Sequence, residues 1–406
     1  MNVLFISLLD FNSIEEHNIY TDLLREFVKN GHAVYAVSPV ERRCNLATYL
    51  ISEKDIHILK LKIGNIQKTN VFEKGLSTLL IERQYIAGIK RYFKDIKFDL
   101  VLYPTPPITL CGIVKYIKQR DHAMTYLMLK DIFPQNAVDI QILSKTGIKG
   151  LIYRYFRRKE KKLYEMSDRI GCMSKANIDY VLQHNPEIRD GRVEFCPNSI
   201  EVRDFRITDK ERIELRRKYQ IPLNKTVFVY GGNLGKPQGI PFLIDCLKMQ
   251  LENPEAFFLI VGNGTEFKKL KVFFDEHNPM NMRLMKTLPK EDYDYMIAAC
   301  DVGMIFLDYR FTIPNFPSRM LSYMQAGIPV LACTDPNTDI GKVIEEGRFG
   351  WWCESNSIEK FTKKIGLIIK SEKSIVGKNA FHFLLKYYTS HRVYTLIMES
   401  MKGTNK

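Results

Sequence analysis

The chain has 406 residues, 45% hydrophobic and 26% charged, with 23 Gly and 17 Pro. That is globular composition at a length that supplies two or three cores, and it excludes a disordered or fibrous chain. Lys and Arg number 60 against 46 Asp and Glu, a formal charge of +14, which favours an anionic partner (phosphate, nucleic acid or a membrane surface) without choosing among them.

The opening run, MNVLFISLLDF, lacks a basic start and soon meets Asp10, so Val3–Ser7 reads as a first strand and not as a signal peptide. Further β-rich runs follow at Ala33–Ser38, Ile56–Leu61, Leu100–Tyr103, Thr125–Leu129, Arg169–Met173 and Val193–Cys196. Helical runs lie between them, such as Ile19–Lys29 closed by Asn30-Gly31. The alternation predicts a parallel sheet with helices on both faces. The longest uncharged apolar stretch, Val101–Val114, holds three prolines and is far short of the ~20 residues of a membrane helix. After Cys196-Pro197-Asn198-Ser199, which reads as an interdomain hinge, comes a charged helix near Asp209–Tyr219. The strand series then restarts with Thr226–Tyr230, Phe257–Val261, Met282–Met285, Val302–Phe306, Val330–Cys333 and Gly350–Cys353. The expected organisation is α/β, with two Rossmann-like doubly wound domains facing a cleft. Residues 1–200 form the first domain, residues 201–385 the second, and 386–406 a helix crossing back to the first. Ligands of such sheets sit outside the carboxyl ends of the strands, so the loops there carry the chemistry.

Four loops stand out. Tyr230-Gly231-Gly232-Asn233-Leu234-Gly235-Lys236-Pro237-Gln238-Gly239 follows a strand and precedes the helical run Ile240–Met249. Its glycines let backbone N–H groups approach a ligand, and Lys236 with the helix start favours an anion; the alternative is a mobile glycine-rich turn. Val261-Gly262-Asn263-Gly264-Thr265-Glu266 repeats the strand, Gly-x-Gly, helix order with Thr265 as a cap, and serves equally as a plain turn. In Pro314-Asn315-Phe316-Pro317-Ser318-Arg319, Pro317 and Ser318 suit a helix start. Arg319 then opposes the helix dipole, which points either to a bound anion or to an exposed arginine. Finally, Lys130-Asp131 leaves the strand Thr125–Leu129, either as a catalytic acid or base or as a solvated ion pair.

Other constellations lead nowhere. Asp292-Tyr293-Asp294 has D-x-D spelling, but residues two apart on a helix do not face each other. The eight histidines show no metal-binding spacing, and the eight cysteines no C-x-x-C; reduced thiols in a cytosolic protein fit better than zinc or disulfides. From Lys149 to Lys162 there are seven Lys or Arg and only Glu160 against them, with Leu151, Ile152, Tyr153, Tyr155 and Phe156 interleaved. This is a cationic helix face with apolar anchors for a membrane surface, or a solvated face packed by its other side. No nucleic-acid motif accompanies it, so no nucleic-acid partner is expected.

Taken together, the strand-GGNLGKPQG-helix loop, VGNGTE, MKTLPKEDYDYMIAACDVGMIFL, PSRMLSYMQAGIPVLA, KDIFPQNA and EFCPNSIE resemble a GT-B glycosyltransferase of family 4. Within it they are similar to the branch of capsule and O-antigen synthesis that includes N-acetylfucosaminyl-type transferases. The resemblance covers nearly the whole chain. It implies retaining transfer from a nucleotide sugar, usually a UDP sugar, to a lipid-linked saccharide, without a metal or other cofactor. It also implies a cytoplasmic enzyme working at the inner face of the cell membrane, with an N-acetylated hexosamine or deoxyhexosamine as the sugar; the cationic run Lys149–Lys162 would then hold it peripherally on an anionic membrane surface. The family's usual arginine and lysine on the diphosphate correspond here to Asn233 and Gln238, which leaves the charge to Lys236 and Arg319. Its two glutamates correspond to Pro314 and Ser322, which leaves Asn315, Ser318, Ser322 and Asp308 for ribose and sugar hydroxyls. Its catalytic-region histidine corresponds to Lys130, beside Asp131. Donor contacts are then expected from Gly231, Gly232, Asn233, Gly235, Gln238, Gly262 and Gly264, with the base against Lys286–Leu288. The alternatives are a non-hydrolysing nucleotide-sugar epimerase of the same fold, or a non-catalytic carbohydrate- or membrane-surface-binding protein.

Overall fold

The computed structural model describes the chain apart from residues 67, 68, 70, 206, 405 and 406. The chain folds into two compact units, Met1–Glu201 with Ser390–Lys406, and Val202–Thr389.

The first unit holds β1 (Asn2–Ile6), β2 (Ala33–Glu41), β3 (Tyr49–Glu53), β4 (Ile56–Ile63), β5 (Leu100–Pro104), β6 (Met124–Leu129), β7 (Arg169–Cys172) and β8 (Val193–Phe195). They lie in the order β3-β4-β2-β1-β5-β6-β7-β8. Every pairing is parallel except β3 with β4. The expected strands are all present. The antiparallel hairpin strand β3 is an addition, for a physical reason: it is an edge strand, exposed at nearly every position, and its apolar run is only the three residues Tyr49-Leu50-Ile51. Val3, Phe5, Val34, Ala36, Leu100 and Leu102 are buried against Leu24 and Phe27 of the helix Thr21–Lys29. The helix Ser390–Thr404 completes this core. Its Val393 and Ile397 are fully buried, and the Tyr394 ring meets Phe27 edge-on at 5.0 Å.

The second unit holds β9 (Thr226–Asn233), β10 (Ala256–Asn263), β11 (Met282–Met285), β12 (Val302–Phe306), β13 (Val330–Thr334) and β14 (Gly350–Glu354), in the order β11-β10-β9-β12-β13-β14 and all parallel. Phe228, Tyr230, Phe258, Ile260, Met304 and Phe306 fill the core under the helices. β9 and β10 run further than their apolar residues suggest. Gly231-Gly232-Asn233 continues the ladder against Val261-Gly262-Asn263. Glycine permits this, because a Cβ on Gly262 would run into the Gly232 carbonyl and one on Gly264 into the Leu234 carbonyl.

That close approach has a measurable cost for any side chain. Gly262→Ala is expected to lose about 1–3 kcal/mol of stability by overpacking. Gly366 sits exposed in the helix Ile358–Ile369 with open space beside it, and Gly366→Ala is expected to gain about 0.5–1 kcal/mol. Urea midpoints of the two variants check this; a harmless Gly262→Ala would mean that the two loops do not pack on each other.

Candidate functional site

The carboxyl ends of β9 and β10, together with the segment before the helix Arg319–Gln325, gather most of the residues expected to hold an anion. Gly232 is exposed at φ +111°, in backbone that only glycine adopts freely. The guanidinium of Arg319 lies over it, 3.8 Å from where a Cβ would stand. The guanidinium carbon is 4.5 Å from the centroid of the Tyr230 ring. Its Nη2 reaches the Asn233 carbonyl at 3.5 Å. Its Nη1 is buried without a hydrogen-bond acceptor, and among the described residues no carboxylate pairs with it. Asn315 presents a second orphan: its Nδ2 is buried with no acceptor, while its backbone carbonyl accepts from Thr338 Oγ1. Buried donors left unmade are costly, and a bound acceptor would satisfy both.

Two more tyrosines close the surroundings of this loop. The Tyr323 hydroxyl accepts from the Gly231 N–H (3.2 Å) and donates to the Met304 carbonyl (3.1 Å). A Cβ on Gly231 would strike the Tyr293 hydroxyl. Burial raises the phenols of Tyr230, Tyr293 and Tyr323, the last to about 12, so all three stay neutral beside the guanidinium.

Several expectations for this unit need correction. The glycine loop does not sit on the start of a helix. A 3₁₀ turn, Lys236–Gln238, intervenes before the helix Ile240–Lys248, and Gly239 at that helix start packs on the backbone of Asp308. Gln238 faces inward to the loop, its Oε1 accepting from the Gly235 N–H (3.2 Å) and from Asn233 Nδ2 (3.4 Å). Gly262 and Gly264 are glycines for strand packing, as above. Thr265 caps nothing, since the helix Phe267–His277 has Glu266 before it and no side-chain cap. Ser318 precedes Arg319 but likewise makes no cap bond. Asp308 is held by Arg310, with Nε at 2.8 Å and Nη2 at 2.7 Å; burial works to raise its pKa, but these bonds keep it below the usual carboxylate value. Lys236, Lys286 and Ser318 are exposed, and Leu288 and Ser322 half-buried. Asp292 and Asp294 point to different partners, Lys218 and Lys290.

In the first unit, Thr105 at the end of β5 organises the end of β6. Its Oγ1 accepts from the N–H of Lys130 (3.0 Å) and of Asp131 (3.3 Å) and donates to the Asp131 carbonyl (3.1 Å). The Asp131 carboxylate accepts from Asn136 Nδ2 at 2.7 Å, and burial pushes its pKa up to about 6. Lys130 departs from the catalytic role expected of it. Its Nζ donates to the carbonyls of Cys196 and Pro197, both at 3.2 Å, so it braces the segment after β8; burial lowers its pKa. Sequence reasoning missed Lys60. It is 1% exposed in β4, and its ammonium binds Asp10, the Phe11 carbonyl (2.8 Å) and Ser38 Oγ (3.1 Å), fixing the loop after β1. The signal was there: a lysine between Leu59 and Leu61 in a buried strand must have its charge met. Elsewhere in the unit, His17, Asp22 and Glu201 are close enough to share an ion. Arg25 already fills that space, with Nε on Glu201 at 2.8 Å and Nη2 on His17 at 2.8 Å.

The cationic run forms the helix Gly147–Met166. Ile148 (83% exposed), Leu151 (59%) and Tyr155 (41%) make one apolar stripe at i, i+3, i+7, with Ile152 beside it. Of the expected anchors, Tyr153 and Phe156 are half-buried, Phe156 packing on Phe133 at 5.1 Å. Lys149, Arg154, Arg158 and Lys162 are exposed, whereas Arg157 is bound to Glu160 and Asn185 and Lys161 to Glu187. No helix among the described residues is long and apolar enough to cross a membrane.

Known proteins are similar to this chain in sequence and in fold. Residues 211–380 match the family model described as Glycosyl transferases group 1. The chain is 24% identical over 322 residues to the probable glycosyltransferase WbjE of Pseudomonas aeruginosa, covering 78% of this chain and 77% of that one. It is 21% identical over 253 residues to the putative colanic acid biosynthesis glycosyl transferase WcaI of Escherichia coli K12, covering 61% and 60%. Among solved structures it resembles sucrose-phosphate synthase of Thermosynechococcus elongatus (TM-score 0.77, 13% identity, 99% and 98% covered). It also resembles HepE of Anabaena in complex with UDP (TM-score 0.69, 14% identity, 99% and 100% covered). The strand orders, the loop of Gly232 and Arg319 and these likenesses lead to one identification: residues 211–380 are a glycosyl transferases group 1 domain, and the chain is a glycosyltransferase of the GT-B fold.

Proposed function

We propose that the enzyme transfers a sugar, with retention, from a UDP sugar to a lipid-linked saccharide in capsule, O-antigen or exopolysaccharide synthesis, at the cytoplasmic face of the membrane. The observation that carries the donor half is the buried, unpartnered Nη1 of Arg319 over Gly232. A diphosphate supplies the acceptor atoms this donor lacks, and it is the leaving group of the reaction. The HepE structures with UDP and with UDP-glucose support the nucleotide, and the colanic acid biosynthesis role named for WcaI supports a polysaccharide pathway. As the bond from C1 of the sugar to the β-phosphate breaks, Arg319 and the exposed Lys236 stabilise the charge gathering on the phosphate, in place of a metal ion. The acceptor oxygen forms the new bond to C1 and gives its proton to a base; Asp131 is the residue proposed to position or deprotonate that hydroxyl. The buried Asn315 Nδ2, which lacks an acceptor, suits a sugar or ribose hydroxyl.

The test is to incubate the protein with a panel of labelled UDP sugars and bacterial membranes. Label should enter the lipid fraction from one sugar, with UDP released in step and no effect of EDTA. UDP release without lipid labelling, or loss of transfer in EDTA with rescue by magnesium or manganese, contradicts the reading and returns attention to Asp292 and Asp294.

The exposed stripe of Ile148, Leu151 and Tyr155 flanked by cations supports docking on an anionic bilayer. Each cation near such a surface is worth about 1 kcal/mol. Replacing Arg154, Arg158 and Lys162 with Glu is therefore expected to release the protein from anionic vesicles in sedimentation at 0.1 M salt while leaving UDP affinity unchanged. Arg157 is excluded because its bonds to Glu160 and Asn185 hold the helix in place. Vesicle binding equal to the parent's makes the stripe a solvated helix face.

A further inference from the structure

Arg319 poses a physical question. The residue is half-buried, its Nη1 is fully buried without an acceptor, and it has no carboxylate partner among the described residues. A buried cation is normally paired, or it swings out to solvent. What faces it here is aromatic. The Tyr230 ring lies 4.5 Å from the guanidinium carbon and is itself fully buried, between the cores of β9 and β12 at 6.0 Å from the Phe306 ring. Its hydroxyl donates to the Asn233 carbonyl (3.2 Å), the same carbonyl that Arg319 Nη2 approaches. Tyr323 grips the N–H of Gly231 and the carbonyl of Met304, and Tyr293 lies against Gly231. Three tyrosines thus fix both the guanidinium and the strand end over which it lies.

We propose that Tyr230 is a positioning residue for Arg319. Its π face holds the guanidinium over Gly232 in the unliganded protein, with the phosphate-facing nitrogen free, and Tyr323 and Tyr293 keep the Gly231-Gly232 backbone fixed beneath. The proposal rests on the reading of this loop as the diphosphate site and adds how that site is preorganised. A π face attracts the cation without using its N–H groups, whereas a carboxylate partner would occupy the donors and repel the phosphate. Preorganised donors cost no reorganisation when charge develops on the leaving group.

The experiment is calorimetry of UDP and of uridine with the full chain. Tyr230→Leu is expected to weaken UDP about 5- to 20-fold and leave uridine unchanged, whereas Tyr230→Phe keeps the ring and retains affinity. Adding Tyr230→Leu to Arg319→Ala is expected to cost no more than Arg319→Ala alone, because the two act as one unit. Should Tyr230→Leu fail to fold, phenylalanine analogues with one, two and three ring fluorines at position 230 change volume little and weaken the ring's quadrupole stepwise. UDP affinity should then fall stepwise, with uridine flat. Flat UDP affinity across the fluorine series, or independent losses in the double variant, overturns the proposal while leaving the diphosphate site standing. Absence of UDP binding in the parent protein overturns the site itself, and the proposal with it.

Discussion

Arg319→Ala weakens UDP about 10- to 150-fold and changes uridine by less than about two-fold: this is the expected result if the guanidinium meets a phosphate. A charge-assisted hydrogen bond is worth about 1.5–3 kcal/mol, and uridine offers no phosphate to make one. The loss is not softened by the rest of the loop. Gln238 bonds within the loop, and Asn233 gives its side-chain nitrogen to Gln238 and its carbonyl to Tyr230 and Arg319. Lys236 is exposed and keeps part of the attraction, which is why the loss is bounded. Titration calorimetry reads both ligands. An equal loss for UDP and uridine would mean that Arg319 supports the fold of the site and not the phosphate.

Asp131→Asn carries the second large effect. A positioned base contributes roughly 10²–10⁴-fold to turnover, so the variant is expected to lose that much while UDP affinity stays intact. The pH profile makes the role specific. Burial pushes the Asp131 carboxyl from 3.8 to about 6, and a base works only when ionised. The parent's turnover should therefore rise with pH through a midpoint near 6 and fall away below it, and the Asn variant should lose that limb. Stability moves the other way. Because the folded value is raised, the native state binds the proton more tightly than the unfolded chain between about pH 4 and 6, so this group's contribution to stability declines across that window as pH rises. Asn removes the buried charge and is expected to stabilise the protein at neutral pH, more so than at pH 4. A variant with unchanged turnover and an unchanged pH profile reduces Asp131 to a structural residue that anchors Asn136.

The architecture was legible because it depends on local apolar runs. Val227–Tyr230 and Phe257–Val261 announce β9 and β10. What escaped was what depends on partners distant in sequence. The glycines after β9 read as a loop, yet Gly231-Gly232-Asn233 stays in the ladder because Gly262 and Gly264 let the two backbones touch. Lys130 looked like a cleft residue until the carbonyls of Cys196 and Pro197, after β8, claimed its ammonium. Tyr230, Tyr293 and Tyr323 stand on a strand and two helices, and only the folded sheet brings them around one arginine. Arg319 itself was legible, because a cation at the first residue of a helix opposes the dipole and calls for a reason.

The most direct measurement is a crystal structure of the full chain with UDP in the presence of EDTA. The account predicts the diphosphate over Gly232, hydrogen-bonded to Arg319 Nη1, with the guanidinium still resting on the Tyr230 ring and no ion beside the phosphates. A diphosphate bound away from Arg319, or one that appears only when magnesium or manganese is supplied and sits with that ion at Asp292 and Asp294, would contradict it.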